Sequence, residues 1–254
     1  MSARRLVLKF GGTSLGTHAR VLLAARRVAA ARRRANVAVV VSARGATTDR
    51  VLRDLERVAA GAPHGREWDR ALATGEDLSA ALLAGALESL GIEARSLRGG
   101  EAGVLASGPY GAGCIQDVTP RALEALLERG VVPVVSGFQG ARPDGETVTL
   151  GRGGSDTSAV ALAAALHAAC EIVTDVPGVF DRDPRREREA RLLPELTYAE
   201  LCDLAEAGAQ VVHPAAARLA EAHRVPLRVY SFSAPLEEPE GTAVLEPERA
   251  GALS

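Results

Sequence analysis

Lysine is almost missing from these 254 residues: Lys9 stands alone against 29 arginines. The 32 acidic side chains bring the formal net charge to −2, so no excess of positive charge marks a nucleic-acid surface. Cysteine is scarce too. Cys114, Cys170 and Cys202 are odd in number, scattered and outside any CxxC pattern. That argues against a disulfide framework or a zinc site, and for a reducing cytoplasm. No apolar run approaches a membrane span, and no signal-like apolar segment stands near the start. The histidines (His18, His64, His167, His213 and His223) show neither HExxH nor comparable ligand spacing, and no Ser–His–Asp arrangement is suggested. Zinc enzymes and triad hydrolases are therefore set aside, and His213, which precedes Pro214, reads as structural.

What is present is an ample apolar share, 47%, arranged as short β-rich runs alternating with helical patterns. The strands expected are Leu6–Phe10, Val37–Ser42, Ile92–Leu97, Val131–Ser136, Glu171–Thr174 and Leu227–Tyr230. Helices are expected near His18–Arg34, Thr48–Ala60, Glu67–Leu90, Pro120–Arg129, Ser155–Ala168, Tyr198–Ala207 and Val212–Ala222. This alternation implies an α/β fold with a mostly parallel, helix-covered sheet, and the runs "VAVVV" and "VVPVV" are apolar on both faces, as buried parallel strands should be. A hairpin turning at Asp144-Gly145 leads into the fifth helix. The arginine run "ARRVAAARRRAN" (25–36) has its apolar residues at helical spacing and reads as a solvated helix face. Residues 1–245 form one domain, and the tail from 246 frays.

Ligands on such sheets gather beyond the carboxyl ends of the strands, and there the glycine- and hydroxyl-rich segments fall. In "KFGGTSLG" two glycines after a strand free backbone N–H groups for an anion, Thr13 and Ser14 add hydroxyls, and Lys9 reaches forward as a compact charge. A tight β–α turn beside a chance lysine is the plainer alternative; no Walker A pattern occurs. In "TLGRGGSDTS" an arginine lies between glycines before a helix whose expected N-cap is Ser155. Arg152 suits bidentate capture of a carboxylate or phosphate, while Asp156 also complements the helix dipole. "TDVPGVFDRDPR" offers Phe180 for stacking and Arg185 for phosphate, or simply a polar loop with an aromatic plug. Thr47 in "SARGATTD" and Glu76 in "ATGEDLS" fit a small polar substrate with an ammonium group, but taken alone they read first as a capping hydroxyl and an exposed helix acid.

Taken in order, "KFGGTS", "VVVSARGATTD", "TGE", "SGFQG", "TLGRGGSDTSAVALAAAL" and "TDVPGVFDRDPR" resemble the aspartate kinases of the amino acid kinase family. The likeness extends through "ESLGIEARSL", "AGVL", "DVTP", "LTYAELCDLAEAGAQVVHPAA" and "VPLRV", from about residue 5 to 245. The resemblance implies a three-layer α/β sandwich with an amino-acid half and, from about residue 150, a nucleotide half. It implies transfer of the ATP γ-phosphoryl group to the side-chain carboxylate of L-aspartate, with Mg²⁺ carried on phosphates and waters rather than on protein ligands. By matched position, Lys9 contacts the transferring group, Gly11, Gly12 and Ser14 supply donors, and Asp156 orients Lys9 or the phosphates. Thr47, Glu76, Phe138, Arg152 and Ser155 shape the amino-acid pocket, Arg152 taking a carboxylate and Glu76 the amino group. Gly153, Gly154, Thr174, Asp175, Phe180 and Arg185 line the nucleotide. A homodimer is implied, with no nucleic-acid or membrane partner.

Three departures from the family pattern stand out. Paired ACT domains usually follow the kinase domain and do not follow here, which leaves feedback control to a separate subunit if it exists. Gln210 replaces a lysine that usually faces the nucleotide, and Phe180 replaces a common tyrosine. Two other readings are a sibling kinase for another small carboxylate in specialised metabolism, and a weakly active partner of a full-length kinase.

Overall fold

Buried parallel strands need mostly apolar side chains on both faces, and the interior strands supply them. In a computed structural model, β1 (Arg5–Phe10) and β2 (Asn36–Val41) pair in parallel in the interior of an eight-stranded sheet. The structure describes residues 4–182, 187, 189–208, 211–237 and 239–246; Arg185, Gln210 and the tail beyond 246 lie outside them.

Between β1 and β2 runs α1 (His18–Ala31), capped by the Thr17 side chain. Then come α2 (Thr47–Val58), α3 (Arg66–Glu88), β3 (Ala94–Leu97), β4 (Val104–Ser107), β5 (Cys114–Val118), α4 (Arg121–Glu128) and β6 (Val132–Ser136). The hairpin is β7 (Gln139–Ala141) and β8 (Thr147–Thr149), followed by α5 (Gly154–Ala165) and β9 (Ala169–Thr174). The chain closes with β10 (Glu195–Thr197), α6 (Tyr198–Glu206), α7 (Pro214–His223), β11 (Leu227–Ser231) and β12 (Gly241–Leu245). The main sheet has the order β10-β12-β11-β9-β1-β2-β6-β3, and its only antiparallel pair among the described residues is β11 with β12.

Period-two alternation sorts side chains between two cores. Leu6, Leu8 and Phe10 with Val37, Val39 and Val41 pack on α1 and α3, whereas Val7, Ala38 and Val40 pack with α4, α5, α6 and α7. The sandwich of helix, sheet and helix is thus present. Four short strands escaped sequence reading: β4 and β5, which join the β7–β8 hairpin in a small second sheet ordered β5-β4-β7-β8, and the last two strands on one side of the main sheet, β10 at its edge and β12 beside it. Exposed polar positions interrupt β5, so it carries no apolar run to detect.

Two local expectations change. α1 ends at Ala31 rather than Arg34, and the arginine run is not wholly solvated, because Arg27 is 2% exposed. The N-cap of α5 is Gly153 in the left-handed region (φ 71°), which puts Ser155 inside the first turn. Only glycine fits there: a Cβ would lie 1.9 Å from the His213 ring.

Candidate active site

Lys9 shares the α5-facing side of β1 with Val7 and emerges one residue before the strand ends. The first turn of α5 begins at that same edge and carries Asp156. Lys9 Nζ and Asp156 Oδ1 meet at 2.6 Å with side chains 11% and 14% exposed. Charges so withdrawn from water need each other, and the pair fixes the ammonium in place. Beyond it the glycine loop makes one tight turn, Thr13–Leu15. A Cβ on Gly12 would lie 2.5 Å from the Ala43 carbonyl, so glycine lets the loops after β1 and β2 touch, and the Gly12 carbonyl accepts the Gly45 N–H at 2.9 Å. Gly11 faces Lys9 Nζ, whereas Ser14 is fully buried and its hydroxyl points at the Val173 carbonyl, 3.5 Å away. Ser14 therefore anchors the loop instead of presenting a hydroxyl to the cleft.

On the β2 side, Glu76 rises from α3 into the loop after β2. Its Oε1 accepts the Ala43 N–H at 2.8 Å; its Oε2 is buried without a partner among the described residues. Burial pushes its pKa from 4.5 up to about 7, against the pull of that backbone N–H. The alternative of an exposed helix acid falls, since Glu76 is 3% exposed. Thr47 opens α2 beside it, with Oγ1 donating to the Arg44 carbonyl at 2.8 Å; the N-cap is Ala46. Phe138 adopts φ 67°, a strained geometry for a bulky residue, held by its N–H to Ser158 Oγ (3.2 Å) and its carbonyl to the Leu150 N–H (2.9 Å). Its ring edges against Gly154, and Gly137 lies against Ser155, so "SGFQG" and "GRGGSD" form one wall. Arg152 stands exposed at the rim with no hydrogen bond or ion pair among the described residues.

Two carboxylates that sequence reasoning passed over frame this half. Asp69, fully buried on α3, accepts the Thr149 N–H (2.7 Å), Thr149 Oγ1 (2.9 Å), the Gly111 N–H (3.1 Å) and a bond with His64 Nε2 (2.7 Å). Thr149 lies three residues before Arg152. Asp77 receives Ser136 Oγ at 2.8 Å and Gln139 Nε2 at 3.0 Å, which fixes the end of β6. The signal for Asp69 was its position seven residues before Glu76, on the buried face of one helix.

On the β9 side, Thr174 Oγ1 donates to Asp175 Oδ1 at 3.2 Å, and Asp175 is exposed at the strand's end. Phe180 is half-buried in an antiparallel bridge with Leu192. His213 caps α7 through its Nδ1, and its N–H reaches Asp156 Oδ2 at 3.4 Å, consistent with a structural role. Across the carboxyl edge the order is β11, β9, β1, β2, β6. Thr174 and Asp175 thus lie on one side of the Lys9–Asp156 pair, and Thr47, Glu76 and Phe138 on the other. Among the described residues no three His, Cys, Asp or Glu side chains gather where they could hold a metal ion, and no helix is long and apolar enough to cross a membrane.

Known proteins are similar to this chain in sequence and fold. Aspartokinase of Mycobacterium tuberculosis is 48% identical over 229 residues, covering 89% of this chain and 54% of its own length. The chain thus spans about half the length of that relative. A crystal structure of aspartate kinase from Synechocystis superposes with a TM-score of 0.82 at 43% identity, over 95% of this chain and 40% of that one. E. coli aspartokinase III, solved in complex with aspartate and ADP, gives 0.85 at 28% identity, over 96% of this chain and 65% of that one. Residues 4–231 match the model of the amino acid kinase family, and with the fold and the loop set described above the chain belongs to that family.

Proposed function

We propose that this chain transfers the γ-phosphoryl group of ATP to the side-chain carboxylate of L-aspartate, yielding 4-phospho-L-aspartate and ADP. The observation that carries the reading is Glu76: a buried carboxylate whose Oε2 has no partner among the described residues, across the Lys9–Asp156 pair from the β9 loop. An unpaired buried carboxylate oxygen is costly, and a substrate ammonium relieves the cost. Arg152 takes the substrate's α-carboxylate in its fork, and Phe138, Ser155 and Thr47 bound the pocket.

The acceptor carboxylate is already ionised at neutral pH, so no general base is required, which agrees with a site free of catalytic histidine. A carboxylate oxygen forms a bond to the γ-phosphorus as the bond to the β-bridging oxygen breaks, and ADP leaves with that electron pair. Protein catalysis then reduces to alignment and charge neutralisation. Lys9, held by Asp156, neutralises charge on the transferring group, and the Gly11–Gly12 backbone turns beside it. Thr174, Asp175 and Phe180 are the nucleotide-side residues, with Arg185 beyond the described segments. The hard oxygen donors here, Asp175 and a paired Asp156, suit Mg²⁺ that arrives on the nucleotide phosphates, where it neutralises their charge.

The test is acyl-phosphate trapping: the chain with ATP, Mg²⁺, hydroxylamine and a panel of amino acids. Hydroxamate with L-aspartate alone is the expected result. Hydroxamate with a different acid instead assigns another substrate, and no product with any acid sinks the reading.

A further inference from the structure

Arg27 is the largest fully buried side chain, and no carboxylate answers it among the described residues. Its partners are carbonyls: Nη2 donates to Phe232 (3.0 Å) and Ala234 (2.6 Å), and Nη1 to Pro235 (3.1 Å). Its guanidinium also lies 5.3 Å from the Tyr230 ring centre. A buried cation is expensive, and here it satisfies the carbonyls of a loop that leaves β11 without a strand to pair with.

The position of that loop gives the arrangement its interest. β11 is parallel to β9 with Ser231 opposite Thr174, and the Phe232 N–H donates to the Thr174 carbonyl at 2.6 Å. The Phe232 ring packs edge-on against Phe10 at 6.4 Å, at the root of the glycine loop. Seven residues before Arg27, on the same face of α1, exposed Arg20 covers the Phe232 ring at 5.6 Å and donates to the Thr13 carbonyl at 2.6 Å. One helix face thus grips three segments: the glycine loop through Thr13, the loop after β11 through three carbonyls, and the end of β9 through Phe232.

We infer that Arg27 and Arg20 are positioning residues for the nucleotide half of the site: they lock the loop after β11 to the ends of β9 and β1, and so fix Thr174 and the glycine loop relative to Lys9. Among the described residues neither arginine hydrogen-bonds to Thr47, Glu76, Phe138 or Arg152, and the amino-acid half meets them only at one remove, through the packing of α1 on α3 and the Gly12–Gly45 contact between loops. The inference rests on the functional reading above, and its test separates the two.

ADP–Mg²⁺ and L-aspartate are titrated calorimetrically into the whole chain and into Arg27→Met, Arg27→Lys and Arg20→Ala. Arg27→Met is expected to weaken ADP binding by about tenfold or more with aspartate affinity unchanged, since small displacements of positioning groups carry losses of that order. Arg27→Lys, which keeps the charge but not the fork, recovers part of the loss. Arg20→Ala, an exposed change that spares the core, shows the same selectivity at smaller size, and decides the matter should Arg27→Met fail to fold. Equal affinities in folded variants, or parallel loss of ADP and aspartate binding, overturn the inference alone. A wild-type chain that binds no nucleotide overturns both readings.

Discussion

Glu76 links the recognition of substrate to the stability of the empty protein, and replacing it by glutamine measures that link. Burial holds its native pKa near 7, against 4.5 for an ordinary glutamate. The native carboxyl therefore keeps a proton that the unfolded chain has already released. Folding takes up protons across this window, so the contribution of Glu76 to stability falls as pH rises from about 4.5 to about 7, and stays low above it. At about 1.4 kcal/mol per tenfold change in proton affinity, the ionised group costs the empty protein about 3 kcal/mol above neutrality. Glu76→Gln has no such window.

Urea unfolding of both proteins at pH 5 and pH 8 reads the effect as a double difference. Packing defects of the amide enter equally at both values and cancel. Glu76→Gln is expected to gain about 2–3 kcal/mol relative to wild type between the two, less than the full cost because the unfolded glutamate is already mostly ionised at pH 5. The variant should also lose most affinity for the amino acid, since an amide offers no charge to an ammonium. The same coupling makes wild-type aspartate binding weaken as pH falls below about 7, with proton release on binding at pH 6 visible in buffers of different ionisation enthalpy. A pH-independent stability difference between the two proteins would refute the assignment of the buried charge.

Lys9→Arg should keep the fold and lose most turnover in the trapping assay, because a planar fork does not fit beside Gly11 where a compact ammonium sits; near-normal turnover removes Lys9 from the mechanism. Asp69→Ala should cost about 3 kcal/mol or more in urea unfolding, since it strands the buried Thr149 N–H and the half-buried Gly111 N–H, whereas Asp69→Asn, which still accepts from both, should lose far less. A loss under about 1 kcal/mol in Asp69→Ala would mean that water or a rearranged loop satisfies those groups.

The layers of the fold were legible because period and composition agree: β2 and β6 are runs apolar on both faces, as a covered parallel strand requires, and β1 and β9 are short β-rich runs broken only by Lys9 and Glu171. Of the small second sheet only the hairpin was legible, from its Asp144-Gly145 turn; β4 and β5 were not, because they are four and five residues long and owe their pairing to what packs on them rather than to their own pattern. The candidate site divides the same way. Glycines, Lys9, Arg152 and Asp156 announce themselves through residue types that have few structural uses at such spacing. Glu76 and Ser14 do not, because their meaning lies in burial: the helix acid became a buried, half-satisfied carboxylate, and the loop hydroxyl became an anchor.

The arginine bias that isolates Lys9 also hid Arg27. In a chain with 29 arginines, a run of five within twelve residues reads as a solvated face, and a single residue's step, about a quarter of a helix turn, decides which of them is not. Helical phase places Arg27 with Ala24 and Val28 on the core side of α1, between Arg26, which is exposed, and the apolar stripe. Three carbonyls of an unpaired loop converge there, and Nη1 and Nη2 answer them from a planar group whose donor directions are fixed, which neither an ammonium on a flexible stem nor an aliphatic side chain provides. The two cations thus mark opposite requirements of one site. Lys9 occupies a place where a fork is too large, and Arg27 a place where a point charge lacks the fork's fixed geometry.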